Sequence, residues 1–196
     1  ELDRNEGIIE GVFIKKDNIV FELDSSNSNI KNIYVFSYDS LSERFFYDPI
    51  YDFRPRRWLE LHSGVRLYIN SYSSVDYAKN YSDNSFAGIV GSVIKVDDVE
   101  IEYHKRIGNN RIIGIVGKIK SVNDIPISYH KNYSENQRGG YMGKISSIDD
   151  INFDFHNKHT YSDLGNYIGK LKEINGVKFE YKKDLQILKA IRIILL

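Results

Sequence analysis

The chain has 196 residues, 41% of them hydrophobic and 13% aromatic, enough apolar material for one large all-β domain or two small ones. Its 27 basic and 27 acidic residues cancel, so no global field draws it to nucleic acid or to an anionic membrane. It has no cysteine, which excludes disulfides and thiolate metal sites, and no stretch reaches the roughly 18–20 apolar residues of a membrane helix.

Residues 1–85 carry 10 basic and 14 acidic side chains, and residues 86–196 carry 17 and 13. That asymmetry is too mild to name a partner. The first residue is Glu1 and not Met, which together with the absence of cysteine leans toward an extracytoplasmic location.

In chain order, GVFIKKDNIVFEL from Gly11 reads as a hairpin turning at Asp17-Asn18, with Phe13 opposite Phe21 and Gly11 opposite Leu23. The Ser- and Asn-rich stretch 24–31 reads as a loop and 33–37 as a strand. Residues 44–57 are rich in aromatics and end in Arg54-Pro55-Arg56-Arg57, where Pro49 and Pro55 break regular structure. Trp58, Leu59 and Leu61, then Val65, Leu67 and Ile69, predict a hairpin across His62-Ser63-Gly64, and 70–85 reads as a loop with one helical turn.

From residue 86 the text repeats. Gly91, Gly117, Gly143 and Gly169 stand 26 residues apart in the segments GSVIKVDDVEIEYHK, GKIKSVNDIPISYHK, GKISSIDDINFDFHN and GKLKEINGVKFEYKK. Each segment reads as strand, two-residue turn, strand. The turns are Asp97-Asp98, Asn123-Asp124, Asp149-Asp150 and Asn175-Gly176, residue types that tolerate positive φ. After the turn alternation is clean (Ile151, Phe153, Phe155); before it, alternation slips by one (Gly143, Ile145, Ile148).

A β-bulge inside each hairpin repairs the slip, with Ser146 and Ser147 together facing Asn152. Ile148 then meets Ile151, Ile145 meets Phe153, and Gly143 lies under Phe155. Gly91 likewise lies under Tyr103, and Gly117 under Tyr129. Lys144 falls opposite Asp154, and Lys170 opposite Glu180. A second apolar row, Val90, Val116, Met142 and Ile168, predicts packing against the N-terminal half. The tail 185–196 reads as a strand because β-branched residues dominate it.

The predicted fold class is therefore all-β: repeated antiparallel hairpins in a meander sheet, sandwich or barrel, with an irregular aromatic-rich insertion at about 44–85. Residues 1–85 form an N-terminal β region with one diverged hairpin copy. Residues 86–196 form the four-hairpin array, and the two are compatible with one continuous domain. The steps Tyr141-x-Gly143-x-Ile145 and Tyr167-x-Gly169-x-Leu171 resemble MORN hairpin repeats. The Trp after the glycine, the second Gly-x-Gly step and the shorter period of that family are missing here, so no property follows from the resemblance.

Candidate chemistry is sparse. His104, His130 and His156 share one repeat position, but equivalent positions lie two strands apart, roughly 9–10 Å, too far to share a zinc ion. Lys118, Lys144 and Lys170 read as self-neutralised surface pairs, which makes nucleic-acid binding unlikely. P-loop, nucleophile-elbow, zincin and dinucleotide motifs are all missing from the sequence, and no cofactor is called for.

The densest basic and aromatic spot is Tyr51, Arg54, Arg56, Arg57 and Trp58 with His62, a composition enriched in interface hot spots. The expected function is a non-enzymatic β-repeat binding or structural module presenting that surface to a protein or glycan. Self-association through sheet edges into a fibre, virion or envelope is one alternative. An enzyme built on Asp52, Arg57 and His62 is the other.

Overall fold

A computed structural model of the chain describes residues 12–24, 29–35, 57–69, 72–106, 114–131, 140–156, 168–181, 188–189 and 194–195. The first sheet holds β1 (Val12–Lys16), β2 (Ile19–Leu23), β3 (Ile30–Val35), β4 (Arg57–Glu60), β5 (Arg66–Ile69) and β17 (Ile194–Leu195), in the order β17-β1-β2-β3-β5-β4. The second holds β6 (Val75–Tyr77), β7 (Val93–Val96), β8 (Val99–Tyr103), β9 (Ile119–Val122), β10 (Ile125–Tyr129), β11 (Ile145–Ile148), β12 (Ile151–Phe155), β13 (Leu171–Ile174) and β14 (Val177–Lys178). These nine strands lie in strict chain order, an antiparallel meander that does not close into a barrel. β15 (Glu180–Tyr181) and β16 (Leu188–Lys189) form a separate antiparallel pair.

The hairpins form where the sequence places turn residues. Asp17, Asp97, Asn123, Asp149 and Asn175, the first residues of the five two-residue turns, have φ of 51°, 50°, 53°, 53° and 44°. Positive φ is accessible to Asn and Asp because their short side chains bond locally.

The bulge exists, but it lies between hairpins rather than within them. Ser147 meets Asn152 and Ile148 meets Ile151 across the turn, as the sequence predicts. Ile145, however, pairs Tyr129 of the preceding hairpin, leaving Ser146 as the extra residue. Likewise Tyr103 pairs Ile119 and Phe155 pairs Leu171. The alternation slip is thus absorbed on the far side of the strand. Every inward position still lands on the core face, with Val93, Val96, Ile101, Val122, Ile148 and Phe153 all buried.

That register corrects the role of the repeat glycines. They do not lie under aromatic rings in the ladder. Gly91, Gly117 and Gly143 are the third residues of tight turns, Ile89–Ser92, Ile115–Lys118 and Tyr141–Lys144, closed by N–H to carbonyl bonds of 2.8, 2.9 and 3.0 Å. Their φ values of 79°, 79° and 75° are those a type II turn demands at that position. A Cβ added at Gly91 would meet nothing within 4 Å, so backbone conformation selects glycine there, not ring packing. Of the row Val90, Val116, Met142, Ile168, the first three fall at the second position of these turns. Val90 and Ile168 are exposed, while Ile89, Ile115 and Tyr141 are the buried members.

Two other expectations change. The first hairpin is unbulged: Ile14, not Phe13, pairs Phe21, and Phe13 pairs Glu22. Gly11 lies outside the described residues. Residues 70–85 are not otherwise all loop, because β6 joins the array; the expected helical turn is the short helix α1 (Ser82–Ala87), ended by Gly88 at φ 70°. β4 and β5 confirm the hairpin across 62–64.

One apolar cluster runs through both sheets, from Ile14, Phe21, Ile33 and Leu67 in the first to Tyr103, Ile148 and Phe155 in the second. The sheets are also tied by Lys16, whose ammonium pairs with Asp149 at 3.1 Å and with Asp150.

Candidate functional site: the outer face of the six-stranded sheet

Strand alternation gives the first sheet two faces. Phe21, Ile33, Leu67 and Ile69 enter the core. The opposite face carries two cross-strand rows. One runs Val20, Tyr34, Tyr68, Trp58, each residue directly paired with the next. The other runs Glu22, Asn32, Arg66, Glu60, again through direct pairs. β3 and β5 pair in parallel, which places Tyr68 beside Tyr34 and Arg66 beside Asn32.

The rows interlock. The Tyr34 and Tyr68 rings stack at 4.9 Å with planes 10° apart. The Arg66 guanidinium sits 5.1 Å from the Trp58 ring centroid, a cation–π arrangement. Glu22 is only 7% exposed, and a buried carboxylate persists only where donors surround it. Here the Tyr34 hydroxyl donates to Oε2 at 2.5 Å, Asn32 Nδ2 to Oε2 at 2.6 Å, and Lys31 Nζ to Oε1 at 3.1 Å. Burial, and then the hydrogen bond to Glu22, push the Tyr34 phenol well above the usual tyrosine range. It therefore stays a proton donor at any physiological pH, and its ring orientation is set.

Exposure rises along this face. Val20 and Glu22 are buried, Tyr34 and Tyr68 half-buried, and Trp58, on edge strand β4, is 51% exposed. The arrangement is a rigid aromatic platform with a guanidinium and a solvent-facing indole at its rim. Among the described residues no group of three His, Cys, Asp or Glu could hold a metal ion.

The structure separates the residues that sequence reasoning had grouped. Trp58 lies on the outer face. Arg57 precedes it on the same strand, pairs with core residue Ile69 and so belongs to the other side, where it is exposed at the sheet edge. His62 sits in the 3-10 turn His62–Gly64, its ring 6.5 Å edge-on from Tyr103 of the second sheet. Tyr51, Arg54, Arg56 and Asp52 lie outside the described residues. The residues that do join Trp58 are Arg66, Tyr68 and Tyr34. Their signal was available: they alternate with Ile33, Leu67 and Ile69, so each faces away from the core.

The array's own polar positions are structural. Lys118 and Lys144 do not pair with carboxylates across the hairpin. Each passes over an aromatic ring, Tyr129 at 5.3 Å and Phe155 at 5.2 Å, and donates to a carbonyl of the next hairpin, Gly143 at 2.8 Å and Gly169. Burial lowers the pKa of both ammonium groups. Asp154 pairs instead with Lys172 at 3.1 Å and Glu102 with Lys120 at 2.7 Å, using the bulge residues of the following hairpin. His104 and His130 hydrogen-bond the backbone of Ile127 and Phe153, and their rings meet Tyr129 and Phe155 edge-on at 5.5 and 5.4 Å. Comparison of the chain with family models, with curated proteins and with solved structures gave no match.

Proposed function

We propose that the protein is a non-enzymatic β-sheet module that binds a protein partner through the outer face of its first sheet, with Trp58, Arg66 and Tyr68 as the contact centre. The observation that carries this reading is the half-exposed indole of Trp58 held against Arg66 at the end of a stacked-tyrosine row. Tryptophan, tyrosine and arginine dominate interface energetics, and prior ordering lowers the cost of binding; Glu22 holds Tyr34, on which Tyr68 stacks, and Arg66 lies against Trp58. A glycan is the other ligand such a platform suits.

Trp58 is the chain's single tryptophan, so its emission reports on this face alone. Cell-extract fractions and a glycan array are presented to the wild type and to Trp58→Ala/Arg66→Ala. The reading predicts saturable binding that shifts Trp58 emission and falls at least tenfold in the double variant, with an unchanged melting temperature. Equal binding by both proteins would place the contact surface elsewhere. Binding confined to the glycan array would make the partner a carbohydrate.

A further inference from the structure

β6 is half of a hairpin. On its β7 side it is complete: Val75, Asp76 and Tyr77 pair Val96, Lys95 and Val93 in the same bulged register that joins β8 to β9, β10 to β11 and β12 to β13. The accessory bonds recur too. Asp97 donates its N–H to the Ser74 carbonyl and accepts the Ser74 N–H at 2.8 Å, as Asn123 does with Glu100 and Asn175 with Asn152. Ala78 exchanges bonds with Ser92 and Gly91 as His104 does with Lys118 and Gly117.

On its other side β6 has no neighbour among the described strands. There β8, β10 and β12 carry the first strand of their own hairpin, β7, β9 and β11. In β8 the residues that make this pairing are Val99 and Glu100. Counting back 26 residues gives Ser73 and Ser74, and these two are not strand although β8 runs Val99–Tyr103. The chain's own counterpart of a first strand, Leu67 to Ile69, is occupied: it lies in β5 of the other sheet, paired on both edges by β3 and β4.

The side chains agree with the backbone. Tyr103 and Phe155 are each 4% exposed, whereas Tyr77 at the same position is 47% exposed. The Tyr103 and Tyr129 hydroxyls donate to Val93 and Ile119, carbonyls of their own hairpin's first strand, at 2.7 and 2.8 Å.

We propose that the open edge of β6, from Ser73 to Tyr77, is an acceptor for one extended strand of a partner polypeptide, docked antiparallel in place of the missing first strand. The array defines what fits: a cationic residue, then two aliphatic residues three positions apart, as in Lys118-Ile119-x-x-Val122 and Lys144-Ile145-x-x-Ile148. Main-chain bonds to the edge supply affinity and the aliphatic pair supplies specificity. The first strands β7, β9, β11 and β13 of a second folded copy cannot serve, because each is already paired on both edges; docking of two copies through their terminal strands is the rival that the dependence on protein concentration below distinguishes.

The probe is a fluorophore-labelled peptide of residues 141–150 (YMGKISSIDD), with a scrambled peptide as control, titrated into full-length protein and followed by anisotropy and by amide chemical shifts. The proposal predicts saturable binding, shift changes confined to about 72–78, and new exchange protection at Ser73 and Ser74. Tyr77→Ser should weaken it about threefold to fivefold, the scale of one cross-strand aromatic contact. Three results would overturn it: no binding at millimolar peptide, equal binding of the scrambled peptide, or shifts at 72–78 that follow protein concentration without peptide. The last would assign the edge to self-association.

Discussion

At the residue scale, the hairpin turns show how one atom decides a contact elsewhere in the molecule. Asn123 and Asn175 hold their positive φ and also cap a backbone N–H of the preceding hairpin with their side-chain oxygen, at 2.9 and 2.7 Å. In the third hairpin the residue to be capped is Pro126, which has no N–H, and the Asp149 carboxylate pairs instead with Lys16 of the first sheet. The turn chemistry separates into two parts. Asn123→Gly keeps the backbone conformation and loses the cap, costing about 1 kcal/mol, a typical net hydrogen bond. Asn123→Ala loses both and adds about 1–2 kcal/mol of left-handed strain; chemical denaturation of the two variants should rank them in that order. Gly91→Ala meets no atoms, so its loss is the strain alone, again about 1–2 kcal/mol.

The histidines set a pH dependence. Burial lowers the pKa of His104, His130 and His156, so their neutral forms are favoured in the fold. As pH falls below the ordinary histidine value of about 6.5, the unfolded chain takes up protons that the folded chain resists. Stability is full above that pH and declines below it. Urea midpoints at pH 7.5 and 5.5 should therefore differ more for wild type than for His130→Gln.

At the element scale, the repeat is built by strands that face two different neighbours in two different registers. Each first strand pairs its own hairpin through two residues at the turn, and pairs the previous hairpin through three residues with one bulged out. Alternation reveals that a residue must be skipped; it does not reveal on which edge, because both placements put the same side chains inward. That is why Ile148 opposite Ile151 was legible and Ile145 opposite Tyr129 was not. The glycine positions were legible as a period and misread as ring platforms, since a turn glycine and a packing glycine look alike in a single sequence. The lysines were misread for a related reason: Lys118 and Lys144 lie beside an aromatic ring and a carbonyl contributed by residues 11 to 25 positions away. Lys118→Met keeps the stem over Tyr129 but leaves the Gly143 carbonyl without its donor. We expect a loss of about 1–2 kcal/mol by denaturant unfolding, partly offset because a half-buried ammonium no longer has to be desolvated.

At the scale of the whole molecule, two sheets share one apolar cluster, and the chain passes from one to the other between Ile69 and Val75. Among the described residues of 44–85, Trp58, Tyr72, Tyr77 and Tyr81 are exposed aromatics, and Trp58 is the one on the outer face of the first sheet. Arg66 and Tyr68 come from β5, the next strand of the same hairpin, and Tyr34 from β3, while Arg57 turns to the opposite face and His62 lies in the 3-10 turn, so the grouping with Arg57 and His62 does not hold. The Lys16 contact to the third hairpin turn fastens the first sheet to the array by charge. Lys16→Ala should lower the melting temperature at low salt, and the difference from wild type should shrink at 1 M NaCl, where the screening length is about 3 Å.

The bulged inter-hairpin register joins the buried array and also sets β6 against β7, at the end of the sheet where no described strand follows. Cross-strand NOEs in the isotope-labelled full chain test it most directly. Contacts from Tyr129 to Ile145, from Phe155 to Leu171 and from Tyr77 to Val93, with Ser146, Lys172 and Ile94 skipped, are the predicted result. Contacts from Tyr129 to Ser146 and from Phe155 to Lys172 would mean an unbulged ladder and would contradict the architecture described above.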